Sequence, residues 1–291
     1  MADSSKPTTK RRIAWEPLTP RGVAAYASAS WGRLLLVQFV FAVLAAASVV
    51  VFLRIAWFPT VRAAIKELPD EGEIRNCELR WSDDNPQRLA EGDWLAFTVD
   101  LDHEGRLRTA ADIEVEFGRK DVRVWSLFGY HDWGYPPGWI IAFNRTVLQP
   151  WWGAWQPPIL WITFGAVILG LMMTWFVTAT IYWLPAWIVG FYDNRLLSVW
   201  GSWKLAGAAL LAASLVADAG ILLYAAGALN LVGLLAVMIG HIVVGWIYVV
   251  ISPLFAPRLD SVPLSRRNPF AQPAPKAPEA SAQFDRSRKS S

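Results

Sequence analysis

Asp218 and His241 are the only acidic, basic or histidine side chains between residues 205 and 255. Each lies between eleven and twelve residues from the middle of the Leu229 and Asn230 pair. If the run folds back there as a helical hairpin, equal distance from the turn means equal depth, about 17 Å along each helix. A carboxylate level with an imidazole inside an apolar layer can relay a proton or hold a cation. The same pair can instead be a hydrogen bond that fixes helix register. The sequence leaves both readings open.

Two other stretches carry residue types that do chemistry. "DLDHEG" (100–105) places Asp100, Asp102, Glu104 and Gly105 as in the opening of a calcium loop, but Ala111 stands where the twelfth position requires a bidentate Glu. It reads as a polar turn after a strand, with His103 a turn residue, since no second His stands at ligand spacing. "GYHDWGYPPGW" (129–139) sets His131 beside Asp132. Neighbours along an extended chain point to opposite sides, so the pair lacks general-base geometry. No catalytic residue, metal site or cofactor is assigned, and the balance leans away from an enzyme.

A third stretch is aromatic. "QPWWGAWQPP" (149–158) holds Trp151, Trp152 and Trp155, with Trp133 and Trp139 just upstream. Such a cluster is either a ligand platform or a belt at a membrane boundary, where the ring and the indole N–H are both satisfied. The elements around it favour the belt.

Those elements follow from the distribution of charge. Hydrophobic residues make up 54% of the 291 and charged residues only 18%. The apolar residues are gathered into blocks that a soluble core of this size does not need. Residues 34–53 and 146–192 carry no charge at all. A hydrocarbon core of roughly 30 Å takes about 20 helical residues. The first block makes one span, the second one span with an overhang, and residues 205–255 fold at "GALN" (227–230) into two. A cleaved signal peptide is a poor account of the first block, because more than thirty residues precede it. The fold class is therefore an α-helical integral membrane protein with four transmembrane helices. Small residues Ala208, Ala212, Gly220, Gly233, Gly240 and Gly245 suit close packing of the last two.

Orientation comes from Lys and Arg. Basic residues cluster before the first span and after the last, whereas residues 59–157 carry 11 basic and 17 acidic side chains. Both termini are expected in the cytoplasm and the acidic segment outside, in a bacterial inner (plasma) membrane. The overall charge of +3 thus points to lipid headgroups and away from nucleic acid.

The expected organisation is a basic cytoplasmic tail (1–30), span one (31–58), an extracytoplasmic domain (59–157) and span two (158–184). An inner interfacial segment (185–204), span three (205–228), span four (231–255) and a disordered cytoplasmic tail (256–291) follow. Pro185 is the expected break in the second block. Trp183, Trp187, Tyr192, Trp200 and Trp203 would then form an inner aromatic belt.

In the outer segment, Val61, Ala64, Ile65 and Leu68 repeat at helical spacing, after which the period changes to two. Leu95, Phe97, Val99 and Leu101 alternate with polar positions, as do Ile113, Val115 and Phe117, then Val122 and Val124. "GRKD" (118–121) is a turn that sets Phe117 opposite Val122 and Glu116 opposite Arg123, giving an apolar face and an outer charge pair. The domain reads as a small, mainly antiparallel α+β unit inserted between helices one and two. Its single cysteine, Cys77, excludes an intramolecular disulfide.

"LPDEGEIRNCEL" (68–79) and "FTVDLD" (97–102), framed by one span before and three after, resemble a family of uncharacterised bacterial multi-pass membrane proteins, some of whose members lie near maltodextrin-utilisation genes. The resemblance is one of topology and these two stretches. It departs where the family has Asn-Gly, since Cys77 follows Asn76, and it implies no activity. The expected function is a non-enzymatic binding or interaction component of an envelope or transport complex. The alternative is proton-coupled transport or an ion pathway through Asp218 and His241. The partners are the lipid bilayer, with other membrane proteins or further copies of the chain beyond it.

Overall fold

The computed structural model describes residues 16–259, so half of the first expected tail and most of the second lie outside it. A short helix α1 (Pro20–Ala25) begins with the Thr19 hydroxyl capping Gly22 N–H at 3.1 Å. Val23, Ala24 and Tyr26 are buried against the bundle. The last part of the segment read as a basic tail is therefore folded.

Among the described residues four helices are long and apolar enough to cross a membrane: Trp31–Lys66, Arg145–Tyr192, Val199–Ala225 and Leu231–Phe255. The first comprises α2 (Trp31–Phe52), a π-turn (Leu53–Trp57) and α3 (Phe58–Lys66). Pro59 explains the wide turn. Its ring has no N–H and would meet the carbonyl four residues back, so the helix loosens by one residue and continues.

The second, α4 (Arg145–Tyr192), is one helix of 48 residues with Pro150, Pro157, Pro158 and Pro185 inside it. This overturns the break expected at Pro185: the helix runs through it, from before residue 158 to beyond residue 184. A proline removes one hydrogen bond, whereas ending the helix leaves several amides and carbonyls without partners, which an apolar surround cannot satisfy. The expected start at Pro157 and Pro158 is displaced to Arg145, where Asn144 caps Val147 N–H at 3.0 Å.

Helix α5 (Val199–Ala225) is the central one, with Leu205, Ala206, Ala208, Ala209 and Leu211 buried. Helix α6 (Leu231–Ile251) runs back beside it after a turn that Asn230 caps through Gly233 N–H at 2.8 Å. The contact is close: a Cβ on Gly220 would lie 2.6 Å from Val237 Cγ1. Gln38 Nε2 donates to Gly207 O at 3.3 Å, tying α2 to α5 in the buried interior.

Between α3 and α4 the chain forms β1 (Gly72–Arg75), β2 (Glu78–Trp81), β3 (Gln87–Glu91), β4 (Leu95–Val99), β5 (Ile113–Phe117), β6 (Asp121–Ser126), β7 (Gly129–Gly134) and β8 (Ile140–Ala142). A three-stranded sheet has the order β2-β1-β8, and a five-stranded sheet runs β3-β4-β5-β6-β7. All pairs are antiparallel except β4 with β5. The β5–β6 register matches the turn, Phe117 facing Val122 and Glu116 facing Arg123. The domain core joins Ala64 of α3 and Leu68 just beyond it to Ile74, Leu79, Leu89, Val99 and Phe143. Phe58 of α3 meets Trp152 of α4 edge to face at 5.0 Å. The outward ends of these two long helices thus form a stalk that carries the sheets.

The domain rests on the α5–α6 turn. Trp94 Nε1 donates to Tyr224 O at 3.1 Å, and the Tyr224 hydroxyl donates to Asp112 Oδ2 at 2.5 Å. The residue 16–30 segment lies at the opposite end, where Lys204 Nζ donates to Ala29 O at 2.6 Å and the Tyr248 hydroxyl to Leu18 O at 2.6 Å.

Candidate functional site

A cavity of about 480 Å³ lies among the four long helices, within the roughly 300–1,000 Å³ typical of small-molecule sites. Ala45 and Val49 of α2, Leu171 and Trp175 of α4, Ile221 of α5 and Ile242 of α6 give it apolar walls. Its polar groups are few. Asp218 and His241 both line it, together with Thr174, Thr178, Tyr182 and Ser214. Two of those hydroxyls are turned back on their own helices, Thr174 to Gly170 O at 2.8 Å and Ser214 to Leu211 O at 2.9 Å.

The expected Asp218–His241 contact is absent: no hydrogen bond or ion pair joins them. Equal depth fixes height along the hairpin and leaves azimuth open, because each residue turns a helix by about 100°. His241 Nδ1 instead meets its own helix at Met238 O. A carbonyl can only accept, so Nδ1 is the donor there, and in the neutral form of an imidazole Nε2 is then left an acceptor. Asp218 is buried, and its Oδ2 has no partner. An unpartnered buried oxygen is costly and marks a place where a donor is wanted. The cavity therefore presents acceptors at two points in an apolar shell. It can take an apolar body carrying N–H or O–H donors, or a cation.

Compared with family models, curated proteins and solved structures, the chain has no match. The geometry alone carries the functional reading.

The tryptophans are not one platform. Trp151 and Trp155, one helical turn apart, have ring centroids 6.1 Å apart, whereas Trp152 faces inward on Phe58. Trp133 packs on His131 at 4.6 Å, and Trp139 is exposed. Helical geometry separates adjacent residues by about 100°, so Trp151 and Trp152 cannot share a face. At the other end of the bundle, Trp31 lies against Trp200 and Trp203 at 5.8 and 5.0 Å.

In the calcium-like stretch the carboxylates turn apart. Asp100 accepts from Gly105 N–H at 3.0 Å, Asp102 pairs with Arg119 at 3.2 Å and Glu104 with Arg106 at 2.5 Å. Asp132 is held by Arg123 through two bonds of 2.7 and 3.0 Å, so it does not serve His131.

The sequence reading missed His103. Its Nδ1 meets the buried Glu116 carboxylate, and Nε2 lies 2.6 Å from Asp121 Oδ1. Burial opposes protonation of the ring, but the two carboxylate hydrogen bonds outweigh it and raise the His103 pKa above its usual value. Glu116 also accepts Trp125 Nε1 at 3.3 Å, so the charge expected on the outer face of β5 is buried while Arg123 turns to Asp132. Only the parallel β4–β5 pairing brings residue 103 to residues 116 and 121. No local pattern announces it.

Proposed function

We propose that this chain is a multi-pass inner-membrane protein with both termini cytoplasmic and the sheet domain outside, acting as a non-enzymatic binding component of an envelope or transport complex. Its ligand site is the cavity among the four helices, and the unpartnered Asp218 carboxylate oxygen inside apolar walls carries the reading. The ligand class is a lipophilic molecule with one donor-rich or cationic end. The wall area favours the body, and Asp218 with His241 Nε2 fixes the head. The topology agrees with the positive charge at the α1 end and with the resemblance in residues 68–79 and 97–102.

The test is native mass spectrometry of protein released from its own membranes. Wild type is expected to retain a bound small molecule that Asp218→Asn releases, with thermal stability kept. A second reading, a proton or ion pathway, rests on Asp218 and His241 sharing one cavity. Proteoliposomes separate the two: pH-driven flux in wild type that Asp218→Asn abolishes would overturn the binding reading. Labelling of Cys77, the only cysteine, by an impermeant maleimide in intact spheroplasts tests the side. Labelling only after permeabilisation would place the domain inside.

A further inference from the structure

We propose that the seam between the β6–β7 hairpin and the first turn of α6 docks one zwitterionic phospholipid of the outward-facing leaflet, of the phosphatidylethanolamine kind. The proposal rests on the membrane topology given above and concerns a different site from the bundle cavity. A cleft of about 400 Å³ separates Trp125 and Leu127 of the hairpin from Asn230, Leu231 and Val232 at the start of α6. Arg108, Thr109, Asp112 and Glu114 also line it. The charged groups of the cleft all belong to the domain, and the α6 side offers Leu231 and Val232 with Asn230.

The charges say which headgroup fits. The Arg108 guanidinium lies 3.9 Å from the centre of the Trp125 ring and makes no ion pair with a carboxylate among the described residues. Its edge N–H groups are therefore available to a phosphate, for which a planar fork is well shaped. Glu114 has both oxygens occupied inward, one by Thr98 Oγ1 at 3.0 Å and the other by Thr109 N–H at 3.3 Å and Oγ1 at 3.0 Å. Asp112 gives one oxygen to Tyr224 and keeps the other. One free cation beside a carboxylate with a spare acceptor complements a phosphate joined to an ammonium. It does not complement a purely anionic headgroup.

The chain also provides for the tails. Leu127 and Phe128, at the hairpin tip, are 55% and 84% exposed, and Val232 beside them is 60% exposed. An exposed Leu-Phe tip level with the first turn of a membrane helix is misplaced in water and well placed against acyl chains. The hairpin is then a foot: its tip reaches the acyl region, and the headgroup is clamped behind it between Arg108 and Asp112.

The experiment uses the full chain with Cys77→Ser and a single fluorophore-bearing cysteine, Phe128→Cys or Val232→Cys, in phosphatidylethanolamine-containing nanodiscs doped with shallow spin-labelled lipid. Both labels are expected to be quenched to within about twofold of each other. Quenching at 232 but not at 128 overturns the foot and leaves the topology standing; quenching at neither site overturns both. Native mass spectrometry of the unlabelled protein, titrated with short-chain lipids, reads the headgroup. Phosphatidylethanolamine is expected to be retained at least fivefold over phosphatidylglycerol. Arg108→Gln should remove that preference, and Arg106→Gln, which alters a solvent-side pair with Glu104, should keep it. Equal retention of the two lipids, or a preference that survives Arg108→Gln, overturns the proposal.

Discussion

The Tyr224 hydroxyl donates to the Asp112 carboxylate at 2.5 Å across the boundary between α5 and the five-stranded sheet. The same residue accepts Trp94 Nε1 on its carbonyl and stacks on Phe52 of α2 with centroids 5.5 Å apart. One residue near the end of α5 therefore joins the central helix, the first helix and the sheet domain. Whatever moves α5, including occupation of the cavity beside Asp218 six residues earlier, has a direct mechanical route to the sheet.

Tyr224→Phe keeps the ring stack and removes the bond to Asp112. Losing a hydrogen bond to a charged group is worth about 1.5–3 kcal/mol. We expect that loss in domain docking and not in the bundle itself. Hydrogen exchange should quicken at residues 92–95 and 226–230 and stay unchanged along the buried part of α5. Uniform quickening through α5 would show that the contact supports the helix and not the seam.

His103 is expected to make the stability of the sheet domain depend on pH. Its folded pKa is raised by Glu116 and Asp121 against the opposing effect of burial. The stabilisation is therefore fully present below the unfolded value of about 6.5 and is lost as pH rises through the higher folded value. Thermal unfolding of the full protein in detergent should show the domain transition falling as pH rises above about 6.5. In His103→Asn that slope should flatten. Equal slopes in the two proteins would sink the assignment.

Gly220 is needed for closeness and Gly240 is not. A Cβ at Gly220 meets Val237 Cγ1 at 2.6 Å, whereas nothing lies within 4 Å of one at Gly240. Gly220→Ala should lose about 1–3 kcal/mol by overpacking. Gly240→Ala should gain roughly 0.5–1 kcal/mol from helix propensity. Paired unfolding curves in one detergent check the opposite signs, and like signs would mean that α5 and α6 are not held at this distance.

The legible parts of the fold were those set by short-range rules. The four-residue turn at 118–121 determined which residues of β5 and β6 face one another, and charge-free length marked the long helices. The rest depended on what packs against each face. Glu116 reads as a solvent-facing partner of Arg123 until the 100–103 turn is laid over it by the parallel β4–β5 pairing, which spans an irregular connection and has no local signature. Asp218 and His241 were legible as a shared depth because depth is counted in residues. Their facing was not, because the twist and rotation of α5 against α6 are set by contacts such as Gly220 with Val237. The prolines of α4 misled for a related reason: a rule calibrated on helices in water overstates a break where an apolar surround leaves backbone groups no other partner.

The turn at Asn76 and Cys77 offers the last prediction. Both residues hold positive φ, 53° and 63°, as a two-residue hairpin between β1 and β2 requires. Asn accepts that conformation readily, and Cys, with an ordinary Cβ, is strained by about 1–2 kcal/mol. Against this, the partly buried Cys77 side chain packs on the domain core. Cys77→Gly relieves the strain and loses that contact, so a net gain of roughly 0.5–1 kcal/mol is expected. Cys77→Ala keeps the strain and loses the sulfur contact, so it should be less stable than wild type. Denaturant unfolding of the three proteins checks the order Gly, Cys, Ala. If Cys77→Gly proves less stable than wild type, the sulfur contact outweighs the backbone strain and the positive φ is not what limits this hairpin.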